Sequence, residues 1–137
     1  MRSVMDIDSH CRKEVVELHE FFQQWFAGVL PLTDEAFDRF ASVMADEFLI
    51  VSPTGRIMQR DAILESVRAA YGSGSIKIWI QNHAHRFTIG EVALVTYEEW
   101  QTKGDETRGR LSSSLFRVKP GTPNDLQWLH VHETWLE

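Results

Sequence analysis

The sequence has little cysteine and no long apolar run. Cys11 is the only cysteine among 137 residues, so no disulfide can form within the chain and a reducing compartment is expected. No segment approaches the roughly 20 apolar residues that cross a bilayer, and residues 1–6 show no apolar core of a signal peptide. These features predict a cytoplasmic protein with no membrane partner.

Positive charge is also in short supply. The chain has 14 Lys and Arg against 20 Asp and Glu, a formal net charge of −6. A domain this acidic is poorly suited to a phosphate backbone, so no nucleic-acid partner is expected. One local cluster of basic residues is interpreted as a solvated strand edge: Arg108, Arg110, Arg117 and Lys119.

What the chain does contain is typical of a globular protein. Hydrophobic residues make up 43% and charged residues 25%, which are ordinary proportions for a packed domain. A length of 137 residues fits one domain with one sizeable core. We therefore predict a single domain over residues 1–137.

Three amphipathic helices are predicted in the first half of the chain. The first runs from Asp8 or Ser9, both good N-caps, to about Gly28. Thr33 is the expected cap of the second, and the third spans residues 60–71. The first helix has an apolar stripe at helical spacing, made of Val15, Leu18, Phe22, Trp25, Phe26 and Val29.

Strands are predicted for most of the second half. After Gly74 the apolar period changes from 3.6 to 2, which is typical of a strand. Three longer strands follow at about residues 91–103, 107–119 and 125–136, and a short hairpin precedes the third helix. Helices segregated to one side of such a sheet give an α+β fold, here a cone with an open mouth.

Several segments carry a family resemblance. The stretches Phe48–Gly55, Tyr97–Trp100 and Trp128–Trp135 resemble the NTF2-like superfamily, and in particular its SnoaL-like and DUF4440-type small proteins. The last stretch is similar to the closing strand of the association domain of calcium/calmodulin-dependent kinase. The resemblance implies a cystatin-like cone, with three N-terminal helices packed on a curved mixed, mainly antiparallel sheet. It does not select a reaction, because this fold has many functions.

Three residues are candidates for catalysis. The resemblance puts Glu133 on the pocket face, together with Tyr97 and Glu99. The two glutamates would lie about 10 Å apart with one strand between them. In an apolar cone, burial and like charge should raise the pKa of both carboxyl groups. A glutamate so placed could transfer a proton while the Tyr97 hydroxyl donates to a developing oxyanion.

A structural role for the two glutamates stays open. Instead of acting on a ligand, they could pair with arginine or reach solvent at the rim of the pocket. The possible partners are Arg56, Arg60 and Arg110.

Other residues complete the predicted pocket. Phe22 and Trp25 could line it from the first helix, although their helical spacing also fits a plain core. The strand residues assigned to it, besides the three catalytic candidates, are Ser113, Val131 and His132.

The histidine pairs are interpreted as structural or interface residues. His83 with His85, and His130 with His132, each have the i, i+2 spacing that could grip a metal from one strand face. This spacing recurs by chance in a chain with six histidines. We expect neither a metal nor another cofactor.

Taken together, the sequence predicts a small-molecule-binding pocket protein of unknown substrate. Its chemistry would be that of a cofactor-free lyase or isomerase using acid–base groups. The alternative is a non-enzymatic binding or oligomerisation module. Four tryptophans on both faces of the sheet cannot all be covered by three helices, so a homodimer is expected.

Overall fold

The computed structural model describes residues 6–136 and forms three helices and six strands over that range. The helices are α1 (Ile7–Phe26), α2 (Asp34–Ala41) and α3 (Arg60–Ala69). The strands are β1 (Met44–Val51), β2 (Ile57–Gln59), β3 (Lys77–Ile89), β4 (Val92–Lys103), β5 (Glu106–Val118) and β6 (Leu126–Trp135). The predicted helices and strands all exist, and their ends shift by a few residues.

The six strands form one open sheet in the order β2-β1-β6-β5-β4-β3. All neighbouring pairs are antiparallel except β1 and β6, which are parallel. This mixed, mainly antiparallel sheet with helices on one face confirms the predicted α+β cone. The parallel pair joins the first and last strands of the chain, whose long separation in sequence permits the crossover connection that parallel strands need.

The helix starts follow capping chemistry. Asp6, and not Asp8 or Ser9, is the N-cap of α1, and its side chain accepts a hydrogen bond from the Ser9 amide at 3.2 Å. The Thr33 hydroxyl caps α2 as predicted by accepting from the Ala36 amide. Gln59 precedes α3 without a side-chain cap, which agrees with its poor capping propensity.

The apolar stripe of α1 supplies much of the core. Val15, Leu18 and Trp25 are buried, whereas Val29 is 73% exposed because the helix ends at Phe26. Trp25 lies between helices: its ring contacts Phe37 of α2, and its indole N–H donates to the Val67 carbonyl of α3 at 2.8 Å. Trp25 is therefore a core residue and does not line the pocket, which corrects the prediction.

One buried carboxylate joins four parts of the fold. Glu14 of α1 is fully buried. It accepts hydrogen bonds from both Arg39 Nη atoms of α2 at 3.2 and 2.9 Å, from Asn124 Nδ2 at 2.9 Å and from Trp128 Nε1 of β6 at 2.8 Å. A buried charge is tolerated when it is paired and fully hydrogen-bonded in this way. Glu14 is thus a structural residue, although its helical position looks solvent-facing in the sequence.

A β-bulge resets the faces of β6. Leu115 pairs with His130 but Phe116 pairs with Trp128, so the register shifts across Leu129. Because a bulge places one extra residue on a strand, the side chains before it change face. Trp128 therefore lies on the inner face of the sheet with Val131, whereas uninterrupted alternation would place it with His130.

Candidate functional site

The helices and the inner face of the sheet enclose a partly open cavity of about 270 Å³. Most of its wall is apolar and comes from every layer of the fold. The apolar lining consists of Leu18, Phe22, Phe26, Phe40, Met44, Phe48, Ile50, Met58, Ile63, Val67, Ile78, Tyr97, Trp128 and Val131. The polar lining consists of His19, Ser52, Glu99, Gln101, Arg110 and Glu133.

Four of the polar residues form a charged cluster: His19, Glu99, Arg110 and Glu133. His19 Nε2 lies 2.8 Å from Glu99 Oε1. Arg110 donates to Glu99 Oε2 from Nη2 at 2.7 Å and from Nε at 3.1 Å, and its Nε lies 3.0 Å from Glu133 Oε2. The cluster joins α1, β4, β5 and β6 in a cavity whose remaining wall is mostly apolar.

The hydrogen bonds of His19 require both ring nitrogens to carry a proton. Nδ1 lies 2.7 Å from the Val15 carbonyl oxygen, which can only accept. Nε2 faces Oε1 of Glu99, whose pKa is lowered to about 2, so this group is an ionised carboxylate that can only accept. Both nitrogens thus donate, and His19 is an imidazolium. Burial alone lowers the pKa of His19, but the charge and hydrogen bond of Glu99 outweigh it and raise the pKa.

The pKa values of the two glutamates in the cluster shift in opposite directions. Burial raises the pKa of Glu99, but His19 and Arg110 overcome this effect and lower it to about 2. Burial raises the pKa of Glu133 to about 7; Arg110 opposes this shift and the charge of Glu99 adds to it. The prediction that both pKa values rise is therefore wrong for Glu99, because that carboxylate has two cationic partners.

Glu133 is the carboxyl group that the protein leaves available. Arg110 Nε is close to it, but the N–H of that atom is directed at Glu99. Within residues 6–136, no donor makes a hydrogen bond of acceptable geometry to Glu133. Since Glu133 lines the cavity, its carboxyl group can accept a hydrogen bond from a bound molecule or, when protonated, donate one to it.

Tyr97 is a neutral, buried phenol beside the cluster. Its hydroxyl lies 3.1 Å from Ser114 Oγ, and either oxygen can be the donor. Burial raises the pKa of Tyr97 strongly, Ser114 opposes the shift, and Glu99 and Glu133 add to it. The phenol therefore keeps its proton near neutral pH and can donate it in a hydrogen bond.

The structure brings five predicted residues together in one cavity. They are Phe22, Tyr97, Glu99, Val131 and Glu133.

Two other predicted pocket residues lie on the opposite face. Ser113 and His132 are directly paired across β5 and β6, and their side chains point to the outer face of the sheet because Ser112, Ser114, Val131 and Glu133 occupy the inner one. Strand alternation separates neighbours in this way. The prediction that Ser113 and His132 line the cavity is therefore wrong.

The cluster also includes two residues, His19 and Arg110, whose place in the site was not predicted from the sequence. His19 follows Val15 by four positions and precedes Phe22 by three, so a polar residue within a buried helical stripe was its signal. Arg110 was interpreted as part of a solvated strand edge, and its side chain instead lies in the cavity with Gln101. The proposed alternative pairing of Glu99 and Glu133 with Arg110 is present.

The described residues contain neither a metal-binding cluster nor a membrane-spanning helix. Within residues 6–136, no group of three or more His, Cys, Asp or Glu side chains is arranged to hold a metal ion. No helix in that range is long and apolar enough to cross a membrane.

Solved structures with the same architecture define the class of protein. An NTF2-like protein of unknown function from Pseudomonas aeruginosa superposes with a TM-score of 0.83 at 24% identity, covering 93% of this chain and 99% of that one. The S. rosetta CaMKII hub superposes with a TM-score of 0.69 at 12% identity, covering 98% of this chain and 100% of that one. A putative ketosteroid isomerase from Parabacteroides distasonis gives 0.59 at 9%, covering 88% and 86%. The predicted NTF2-like fold is confirmed.

The sequence identifies the family within that class. The family model for the sucrose-6-phosphate phosphohydrolase C-terminal region matches residues 11–137, and the chain belongs to this family. Sucrose-phosphatase 1 of Nicotiana tabacum is 26% identical over 128 residues, covering 90% of this chain and 30% of the relative. Sucrose-phosphatase 2 of the same plant is 25% identical over 146 residues, covering 98% and 34%. The chain thus spans about a third of the length of these relatives. The narrower likeness to SnoaL-like and DUF4440-type proteins stays a prediction.

Proposed function

We propose that this chain is a small-molecule-binding pocket domain, and that Glu133 exchanges a proton with the bound molecule in cofactor-free chemistry of the lyase or isomerase type. One observation carries the proposal. A largely apolar cavity ends at a buried carboxyl group that accepts no hydrogen bond from the described residues and has a pKa of about 7.

The cavity supports binding of a molecule with an apolar body and one polar group. Ligand sites are commonly concave, mainly apolar and equipped with a few convergent polar groups. At about 270 Å³, this one is near the lower end of the usual size range of about 300–1,000 Å³. The phenylalanine-rich wall suits the apolar body, and the charged cluster suits the polar group.

The proton chemistry is assigned to Glu133 because acid–base groups are most effective when their pKa lies near the working pH. Glu99 is held ionised by His19 and Arg110, so it does not give or take a proton near neutrality. Tyr97 is the hydrogen-bond donor for an oxygen that gains negative charge. Its proton is free for this role when Ser114 is the donor in their shared hydrogen bond.

Filling the cavity tests the binding part of the proposal. A library of small apolar molecules with one polar group is screened by ligand-observed NMR against wild type, Ile50→Trp and Ile57→Trp. Ile50 lines the cavity, whereas Ile57 on the neighbouring strand is exposed outside it. We expect ligands that bind wild type and Ile57→Trp to be lost from Ile50→Trp. If the screen finds no ligand, or if the ligands found bind Ile50→Trp as well as wild type, the pocket function is contradicted.

Deuterium exchange tests the proton-transfer part. A ligand found in that screen, with a C–H next to a carbonyl group, is incubated with the protein in D₂O and followed by NMR. Glu133→Gln should slow protein-dependent exchange by roughly 10²-fold or more, the usual contribution of a general acid or base. Glu98→Gln, which alters a half-buried glutamate on the outer face, is the matched control and should exchange like wild type. Equal rates for both variants would remove Glu133 from the chemistry.

The outer face of the sheet favours a second candidate function, a non-enzymatic oligomerisation module. Phe87 pairs with Leu94, and Leu94 pairs with Leu115, in one apolar row across three strands. Phe87 is 47% exposed and Leu111, on the same face, is 41% exposed. We propose a second copy of this chain as the occupant of this face. The structural neighbour described as a CaMKII hub supports the proposal by analogy of fold.

A further inference from the structure

The charge balance of the cluster bears on the class of ligand. His19 and Arg110 are cations and Glu99 is an anion, so the cluster has one unmatched positive charge while Glu133 is protonated. When Glu133 ionises, the cluster becomes neutral. An uncompensated charge in a cavity with an apolar wall is unfavourable, so the protonated form is the one that gains from a negative ligand.

No other charged side chain lines the cavity in the described range. Glu133 faces His19 from α1, Glu99 and the phenol Tyr97 from β4, and Arg110 from β5. The remaining polar lining residues, Ser52 and Gln101, are uncharged. The charge count of the site therefore depends on the cluster alone.

Arg110 also has donor capacity left over. Its Nε and Nη2 atoms serve Glu99, and within residues 6–136 its Nη1 atom donates to no acceptor. The side chain is mostly buried and lines the cavity. A guanidinium group in this position is well suited to a carboxylate, which has the geometry that arginine recognises.

We propose that the ligand is an amphipathic monocarboxylate, bound with its carboxylate between Arg110 and protonated Glu133 and its hydrocarbon part against the phenylalanine wall, and that binding takes up one proton. This inference rests on the proposed pocket function and specifies its ligand class. With Glu133 ionised the cluster is neutral, so a cationic ligand would add an unmatched positive charge. With Glu133 protonated the cluster has one positive charge, which an uncharged ligand would leave unmatched.

Calorimetry with two probes of equal chain length tests the inference. Octanoate and 1-octanol are titrated below their micelle concentrations into wild type, Glu133→Gln and Glu98→Gln at pH 6.0 to 8.5. Wild type should bind octanoate at least tenfold more tightly than octanol at pH 6.0. Its octanoate affinity should fall by about tenfold per pH unit at the alkaline end of the range, as expected for binding linked to one proton. Titrations in two buffers with different ionisation enthalpies should show the proton uptake.

The variants isolate the role of Glu133. Glu133→Gln stays uncharged and should keep its octanoate affinity up to pH 8.5, with no proton uptake. Glu98→Gln should repeat the wild-type pH profile. Circular dichroism confirms that each variant is folded before it is titrated.

The outcomes separate this inference from the pocket function. Octanol binding as tightly as octanoate, or octanoate failing to bind at all, overturns the carboxylate assignment, while the library screen decides independently whether the pocket binds small molecules. An octanoate profile that falls with pH in Glu133→Gln as it does in wild type overturns the proton coupling.

Discussion

At the scale of single residues, two buried glutamates show how surroundings determine a role. Glu14 accepts hydrogen bonds from Arg39, Asn124 and Trp128. Glu133 is also buried, but it accepts no hydrogen bond from the described residues, and its ion-pair partner among them is Arg110 at 3.0 Å. A fully satisfied carboxylate stabilises a fold, whereas an unsatisfied one costs free energy unless it is protonated or meets a ligand. This contrast supports a structural role for Glu14 and is the basis of the proposed role for Glu133.

The cost of ionising Glu133 should be visible in stability. Its pKa is raised from 4.5 to about 7 in the folded state, so its favourable contribution is present below pH 4.5 and is lost as pH rises through 7. Glu133→Gln has no such loss. Its free energy of unfolding, relative to wild type, should increase from pH 4 to pH 8 by up to about 3 kcal/mol. Urea denaturation across this range measures the difference.

Glu98→Gln is the control for that experiment. Hydrogen bonds from Asn82 and Trp100 lower the pKa of this outer-face glutamate, so the variant should gain no stability with pH relative to wild type. If the two variants respond alike, or if Glu133→Gln shows no gain, Glu133 is not a buried carboxyl with a raised pKa.

At the scale of elements, α1 links the core to the site. Glu14 binds the helix to α2 and β6, His19 one turn later joins the charged cluster, and Trp25 packs against α2 and α3 near its end. His19 therefore lies between two anchored points of the same helix, Glu14 before it and Trp25 after it. The position of the cluster depends on how α1 is anchored.

Removing the anchor at the end of α1 should be costly. Trp25→Ala deletes a fully buried ring and leaves the Val67 carbonyl without its indole donor. The expected loss is roughly 3–5 kcal/mol in the free energy of unfolding, typical of a large aromatic residue removed from a core. Trp79→Ala, on the partly exposed outer face, should cost less than half as much. A melting temperature of Trp25→Ala within error of wild type would remove this part of α1 from the core.

At the scale of the whole molecule, the outer face predicts association. Large exposed apolar patches are unusual on monomers, and a two-fold dimer would pair this face with itself. Light scattering at micromolar concentration should report twice the 15.8 kDa chain mass. Leu111→Glu should shift the protein towards monomer, whereas Leu32→Glu, which alters an exposed residue in the loop between α1 and α2, should not. A wild-type mass of 15.8 kDa would contradict the homodimer.

Much of the fold was predictable because it depends on local pattern. Helical spacing identified α1 and the burial of Trp25, and the change to period 2 located the long strands. Glu99 and Glu133 were found by alternation and by family resemblance, and both lie in the cavity. These features are encoded within a few neighbouring residues or within one strand.

Only the tertiary structure decided what the site can do. His19 and Glu99 are 80 positions apart in the chain and 2.8 Å apart in space, and no local pattern records that contact. The bulge at Leu129 moved Trp128 to the inner face, because strand register depends on the partner strand as well as on sequence. The pKa values of Glu99 and Glu133 diverge because burial and charge are summed over neighbours that only the folded chain brings together.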